Sequence, residues 1–169
     1  MRLLKFFCAK MFVFLMFFLL FITSVYAVND AVFVRPHFGI GVRNRTENGD
    51  DGICYHAGAR VLLSANTCQK IGMEFTYIDA DTAKNLRYTS VGMVMEQRLW
   101  DWVYVAFGTL GYLSNKDDSK NPFGIVSNIG WEPDSMENMH PYIIYRSEIV
   151  FDNPTVKIDS ISLGFTFKF

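Results

Sequence analysis

The chain closes on Val156–Phe169, VKIDSISLGFTFKF, and the spacing in this stretch decides the fold. From Ile161 onward every second residue is large and apolar: Ile161, Leu163, Phe165, Phe167 and Phe169. Ser162, Gly164, Thr166 and Lys168 stand between them. A period of two belongs to a β-strand with one apolar face and one small or polar face. Lys157 and Asp159 share the parity of the apolar residues, so the strand begins with two charges on its apolar side.

The same alternation recurs upstream, and nowhere beyond Val28 does the sequence sustain the i, i+3, i+4 spacing of a helix. Clusters of Gly, Asp, Asn and Pro divide the chain into eight predicted strands, roughly 31–43, 53–63, 70–78, 87–99, 103–113, 122–132, 140–151 and 156–169. They are longer than the ~5–6 residues usual in soluble sheets and suit a tilted membrane crossing. RNRTENGDDG, DADTAKN, SNKDDSKNP and DNPT are polar connections at one end; SANTCQ, WD and PDSMENM join the other and are generally tighter. An even strand count with this loop asymmetry predicts an all-β fold, an eight-stranded antiparallel up-and-down transmembrane β-barrel with both termini on the periplasmic side.

The faces agree. Val34, Phe38, Ile40 and Val42 oppose Arg35, His37, Gly39 and Gly41; Ile71, Met73, Phe75 and Tyr77 oppose Gly72, Glu74 and Thr76. Val91, Met93 and Met95 likewise oppose Gly92, Glu96 and Arg98. A soluble sandwich would turn its charged faces to water. Closing the sheet instead turns Arg35, Arg60, Glu74, Glu96, Arg98, Glu132, Arg146 and Glu148 inward, where opposite charges pair and fill a lumen too narrow for an aqueous channel. Trp100, Trp102 and Trp131 fall at periplasmic strand ends, and Tyr55, Tyr77, Tyr88, Tyr112, Phe123 and Phe151 near the outer ends, as two interfacial girdles.

Both chain ends speak to export. Arg2, Lys5 and Lys10 precede an uncharged run, Met11–Ile22, and TSVYA places Val25 and Ala27 at small-residue cleavage positions. The run is shorter than the ~20 residues that span a bilayer. Residues 1–27 therefore read as a cleaved signal peptide, and 28–169 as the barrel domain. Ser162, Gly164, Phe167 and Phe169 form a polar-x-Gly-x-x-aromatic-x-aromatic terminus. It resembles the C-terminal signal that outer-membrane proteins present to their assembly machinery, so Phe169 is the expected contact. The expected location is the cell outer membrane.

Function is written less openly. Removing the signal removes three cations and no acid from a chain of net charge −1, so nothing favours a nucleic-acid partner. Cys-x-x-Cys, His-Glu-x-x-His and Walker patterns are absent, and no cofactor is expected. His37, His56 and His140 lie on different predicted strands; the first two face the lumen as fillers. Asp50, Asp51, Asp117 and Asp118 read as solvated loop acids, with cation bridging of lipopolysaccharide as the sharper alternative.

The last hairpin remains. Ile143, Tyr145, Ile149 and Phe151 face lipid while Arg146 and Glu148 face inward, which strands Ser147 on the lipid side. Odd residues on both strands face outward, so paired residue numbers must sum to an even value such as 306 or 308. Ser147 then lies opposite or diagonal to Asp159, ~5–8 Å away, with Tyr145 beside it.

Tyr145–Phe169, YRSEIVFDNPTVKIDSISLGFTFKF, resembles the C-terminal hairpin of the outer-membrane lipid A 3-O-deacylase (PagL-type) family. That family carries His-x-Ser on its seventh strand, a loop proline, and Glu-Ser-x-Ser-Leu on its eighth. Laid on this chain, the nucleophile falls on Ser147, the proline on Pro154 and the acid on Asp159 within IDSISL. Two positions differ: Tyr145 occupies the histidine position, and Glu148 stands where asparagine follows the serine. Tyrosine, with an ordinary pKa near ~10, is almost wholly protonated at neutral pH and accepts protons poorly.

The resemblance implies hydrolysis of an ester-linked acyl chain of lipid A, with Ser147 attacking, Asp159 orienting and Tyr145 binding or polarising. The alternatives are the same scaffold binding lipid A without turnover, and an OmpA- or OmpX-like structural or adhesion barrel. Lipid A or lipopolysaccharide is the expected partner, and the barrel is expected as a monomer or weak oligomer.

The strand order also constrains the cysteines that survive export. Cys54 opens a strand at the outer rim and Cys68 lies at the periplasmic turn below it, roughly 30 Å away along the strand. A disulfide needs Cα atoms within ~7 Å. Unreduced, unfolded protein should take maleimide on both thiols; a mass two protons short would break the strand order.

Overall fold

The computed structural model describes residues 29–45, 51–81, 86–115, 121–133 and 139–169. The expected signal segment and the loop acids Asp50, Asp117 and Asp118 lie outside the described residues. Eight strands follow in order: β1 (Asn29–Arg45), β2 (Gly52–Ser64), β3 (Gln69–Asp81), β4 (Leu86–Trp100), β5 (Val103–Ser114), β6 (Phe123–Trp131), β7 (Met139–Val150) and β8 (Val156–Lys168). Each pairs antiparallel with the next, and β8 closes on β1. The fold class is as expected, and the strand limits differ from the sequence reading by a few residues at most.

Closure runs to the last residue. The Phe169 N–H donates to the Val32 carbonyl at 2.9 Å, and the Val32 N–H returns to the Phe169 carbonyl at 3.2 Å. Such a seam leaves no open strand edge. In hydrocarbon it is one of only two ways to satisfy a spanning backbone.

The outer surface carries the apolar residues: Phe38, Ile40, Met73, Phe75, Met93, Phe107, Ile129 and Leu163 are all exposed. Trp100, Trp102 and Trp131 project outward at the end that carries the chain termini. Tyr55, Tyr77, Phe123 and Phe151 do so at the outer end, with the rings of Phe123 and Phe151 4.9 Å apart.

Tyr88 and Tyr112 depart from the expected girdle. Both are buried in the lumen, edge to face at 6.0 Å. The Tyr112 hydroxyl donates to Glu148 at 2.6 Å and that of Tyr88 to Asp152 at 3.1 Å. Height along the barrel placed them at the rim; parity, shared with Ser90 and Leu110, sends them inside.

The lumen has two halves. Towards the outer end, Cys54, Ile78, Leu86, Tyr88, Leu110, Tyr112, Val126, Val156 and Ile158 pack into an apolar plug. Below it, charges alternate in a continuous chain. Glu148 contacts Arg146, which reaches Glu74 at 2.5 Å. Glu74 also holds Arg60 at 2.5 Å, and Arg60 reaches Glu96 at 3.2 Å. Glu96 holds Arg35 at 2.6 Å, and Arg35 contacts Glu132. Every one of these side chains is buried. Arg98 breaks the expected pattern: it is half-buried at the mouth beside the chain termini, with no carboxylate in ion-pair range among the described residues.

Between the charges, tyrosines lie over glycines. The ring of Tyr142 covers Gly164, where an added Cβ would stand 2.6 Å from the ring, and its hydroxyl donates to the Pro36 carbonyl at 3.0 Å. The ring of Tyr104 covers Gly130 in the same way. His56 bonds Ser162 at 2.9 Å, inside the wall as expected. Cys54 is buried near one end, Cys68 is exposed in the β2–β3 turn at the other, and both are free.

A buried ion pair costs desolvation, and losing one partner leaves an uncompensated charge. Glu74→Gln should therefore destabilise the barrel by about 3–5 kcal/mol in urea unfolding from lipid vesicles. Arg87→Gln, which opens the partly exposed 3.8 Å pair with Asp79, should cost only about 0–1 kcal/mol. Equal costs for the two would mean that the lumen chain is not what holds the interior together.

Candidate functional site on the outer face of β7 and β8

Strand pairing places Ser147 directly opposite Asp159, Tyr145 opposite Ile161, and Ile149 opposite Lys157. All six face outward. The diagonals then carry Tyr145 and Lys157 to Asp159 from opposite sides. The Tyr145 hydroxyl donates to Asp159 Oδ1 at 3.2 Å, and Lys157 Nζ lies 2.8 Å from Oδ2. Ser147, the direct cross-strand partner of Asp159, stands beside the same carboxylate. One carboxylate thus gathers two donors and a neighbouring serine on the outside of the barrel, close below the outer rim.

The three residues named from sequence come together, and the structure adds two more. Lys157 is the first, as the second strong partner of Asp159. Ser127 is the second: it sits on β6 directly opposite Ser147. The sequence did carry a sign of it. Phe123, Ile125, Ile129 and Trp131 share its parity, and Ser127 is the only polar residue among them. The polar row Ser127–Ser147–Asp159 ends at Val42 on β1.

Below this row the surface turns apolar. A groove of about 350 Å³ runs between Phe38 and Trp131, lined by Pro141, Ile143, Leu163 and Phe165, with Gly164 at its floor. Pro141 and Phe165 face each other six residues along from Ser147 and Asp159, roughly 20 Å down the strands. At a tilt of ~45°, that is about half the ~30 Å hydrocarbon core, the depth of one leaflet.

The site has a carboxylate and a hydroxyl but no imidazole. His37 and His56 lie inside the wall, and His140 sits at the far end of β7. Arg146 and Glu148, the neighbours of Ser147, belong to the lumen chain. A closed wall imposes a further limit, because its backbone N–H groups are engaged in the ladders on either side. An oxyanion on this face must therefore be met by side chains, and Ser127, Tyr145 and Lys157 are the donors at hand. Among the described residues no three His, Cys, Asp or Glu side chains converge as metal ligands.

No protein-family model matches the sequence, and none of the curated proteins does. Among solved structures, the chain is similar to the crystal structure of Neisserial surface protein A, with a TM-score of 0.66 and 14% identity over 83% of this chain and 100% of that one. Ail, the attachment invasion locus protein of Yersinia pestis, aligns with a TM-score of 0.49 and 13% identity over 82% of this chain and 98% of that one. At such identities the likeness is one of fold: an eight-stranded barrel of the outer-membrane type.

Proposed function

We propose that this chain is an exported outer-membrane barrel that hydrolyses an ester-linked acyl chain of lipid A at the outer leaflet, slowly, with Ser147 as the nucleophile. The observation that carries the reading is the Ser147–Asp159 pair on the membrane-facing surface, above an apolar groove one leaflet deep. The C-terminal Phe169, fixed in the seam, is the feature offered to the assembly machinery during insertion.

The chemistry follows from what is within reach. Ser147 Oγ attacks the ester carbonyl as its proton passes to Asp159, the nearest base. Ser127 and Lys157 donate to the oxyanion that forms. Collapse expels the sugar alkoxide, which takes the proton from Asp159, and leaves an acyl-serine. Water, deprotonated by the same carboxylate, then releases the fatty acid and regenerates Ser147. A carboxylate with an ordinary pKa near ~3.9 is a weak base at neutral pH. Well-matched general bases contribute typically ~10²–10⁴-fold, which sets how slow the reaction is.

A second reading has one specific observation in its favour. Both oxygens of Asp159 already accept bonds, one from Tyr145 and one from Lys157. A carboxylate held that way suits binding without turnover, with Lys157 and the two serines meeting the polar part of a lipid.

The two readings part in a Gram-negative host whose lipid A is weighed. Wild type should remove one hydroxyacyl mass and Ser147→Ala none. Tyr145→His should raise turnover by about 10²–10⁴-fold by restoring a base matched to neutral pH. If wild type, Tyr145→His and Ser147→Ala give identical lipid A, hydrolysis is excluded and the binding or structural barrel remains.

Ser127 can be tested in the faster Tyr145→His background. Ser127→Ala should lower kcat by about 10²–10³ with little change in KM, the effect of losing an oxyanion donor. An unchanged kcat would remove Ser127 from the mechanism and leave Ser147 in place.

A further inference from the structure

The opposite end of the molecule has the reverse chemistry. A cavity of about 250 Å³ lies at the periplasmic mouth of the lumen, lined by Arg35, Lys70, Glu96, Arg98, Tyr104 and Glu132 among others. Its acceptors are largely committed: Glu96 gives one oxygen to Arg35 and the other to Arg60, and Glu132 gives one of its two to Arg35. Its donors are not. Lys70 stands directly opposite Glu96 in the β3–β4 register, yet no carboxylate lies in ion-pair range of it among the described residues. Its ammonium rests over the Phe33 ring instead, 3.9 Å from the centroid.

Arg98, next in line on β4, likewise has no carboxylate in ion-pair range among the described residues. The Tyr104 hydroxyl and Arg35 Nε are buried without a hydrogen-bond partner. Among the described residues the cavity therefore holds two cations outside any ion pair and two idle donors, against one Glu132 oxygen that Arg35 leaves over. Lys168 at the same mouth adds a third positive charge. The apolar plug closes the lumen on the outer side, so a ligand reaches this site only from the periplasmic end.

We infer that this mouth is a binding site for a phosphate group. A phosphate offers only acceptors and negative charge, which is what the lining lacks, and Arg and Lys are the side chains that receive it through charge-assisted bonds. Arg98 and Lys70 face the ligand from adjacent strands, with Tyr104 donating from β5. The mouth lies at the level of the inner-leaflet headgroups, so the phosphate is either a phospholipid headgroup or a soluble phosphate of the periplasm. The site is independent of the outer face and of the chemistry proposed there.

The test uses the full mature chain refolded in a neutral detergent, with inorganic phosphate and a short-chain anionic phospholipid as separate probes. A ligand that binds the folded state raises the thermal midpoint in a concentration-dependent way. Saturable stabilisation by phosphate beyond that of sodium chloride at equal ionic strength is expected if the ligand is soluble. Saturable stabilisation by the phospholipid alone identifies the headgroup.

In either case the Lys70→Gln/Arg98→Gln variant should bind at least about tenfold more weakly, and Arg98→Lys should retain most of the affinity. Neither residue belongs to the buried charge chain, and heat-modifiable migration on gels confirms that each variant folds. No saturable response to either probe, or the same response from the double variant, overturns the assignment.

Discussion

Closure of β8 on β1 is the constraint from which the rest follows. Once eight strands form a ring, each residue has only two places to point, and a shift of one residue would exchange the two faces throughout. The outer face must satisfy hydrocarbon and the inner one must satisfy itself, because a lumen this narrow holds side chains rather than bulk water. That is why Arg146 and Glu148 lie in a buried chain of ion pairs while Ser147, between them in sequence, stands outside. The polar interruption of β7 is two unrelated features interleaved by the pleat.

The interior solves its problem by alternation. From Glu148 down to Glu132, each arginine lies between two carboxylates, and Glu74 and Glu96 each lie between two arginines. A lone buried charge would be expensive, so the chain works only as a whole, and its two ends need different terminators. At the outer end a hydroxyl, that of Tyr112, meets the last carboxylate, and apolar side chains seal the rest. At the other end nothing comparable terminates it among the described residues, and Lys70 and Arg98 are left facing a cavity.

Much of this was legible in the sequence. Alternation fixes faces, an even sum of paired numbers places Ser147 against Asp159, and the Gly-Asp-Asn clusters mark where strands stop. The remainder fails for identifiable reasons. Height puts Tyr88 and Tyr112 at the rim, but in a barrel the face is set by parity and height only decides what lies beside it. Ser127 cannot be read from β6 alone, because a single serine in an apolar run gains meaning only from the strand next to it. Arg98 was expected to pair because charges of both signs share the lumen. Which partner a lumen charge finds depends on distances across the barrel, which no local pattern encodes, and Arg35 and Arg60 reach Glu96 first.

The hairpin site follows the same rule of donors and acceptors, but there the donors have found their acceptor. At the mouth beside the chain termini Lys70 and Arg98 lack a carboxylate among the described residues, whereas on the outer face Asp159 takes one bond from Tyr145 and one from Lys157. Tyr145 matters because of what it can give and take. A histidine at that position offers an acceptor nitrogen to the serine while donating to the acid. A tyrosine hydroxyl spends its one proton on Asp159 and offers Ser147 no comparable base. With tyrosine there, the hairpin holds a serine beside a carboxylate and lacks a side chain that would accept the serine's proton near neutral pH. Asp159 stands beside Ser147 because the two are direct cross-strand partners rather than diagonal ones. The serine, the acid and the groove are therefore in place together, and residue 145 decides whether a base matched to neutral pH stands beside them.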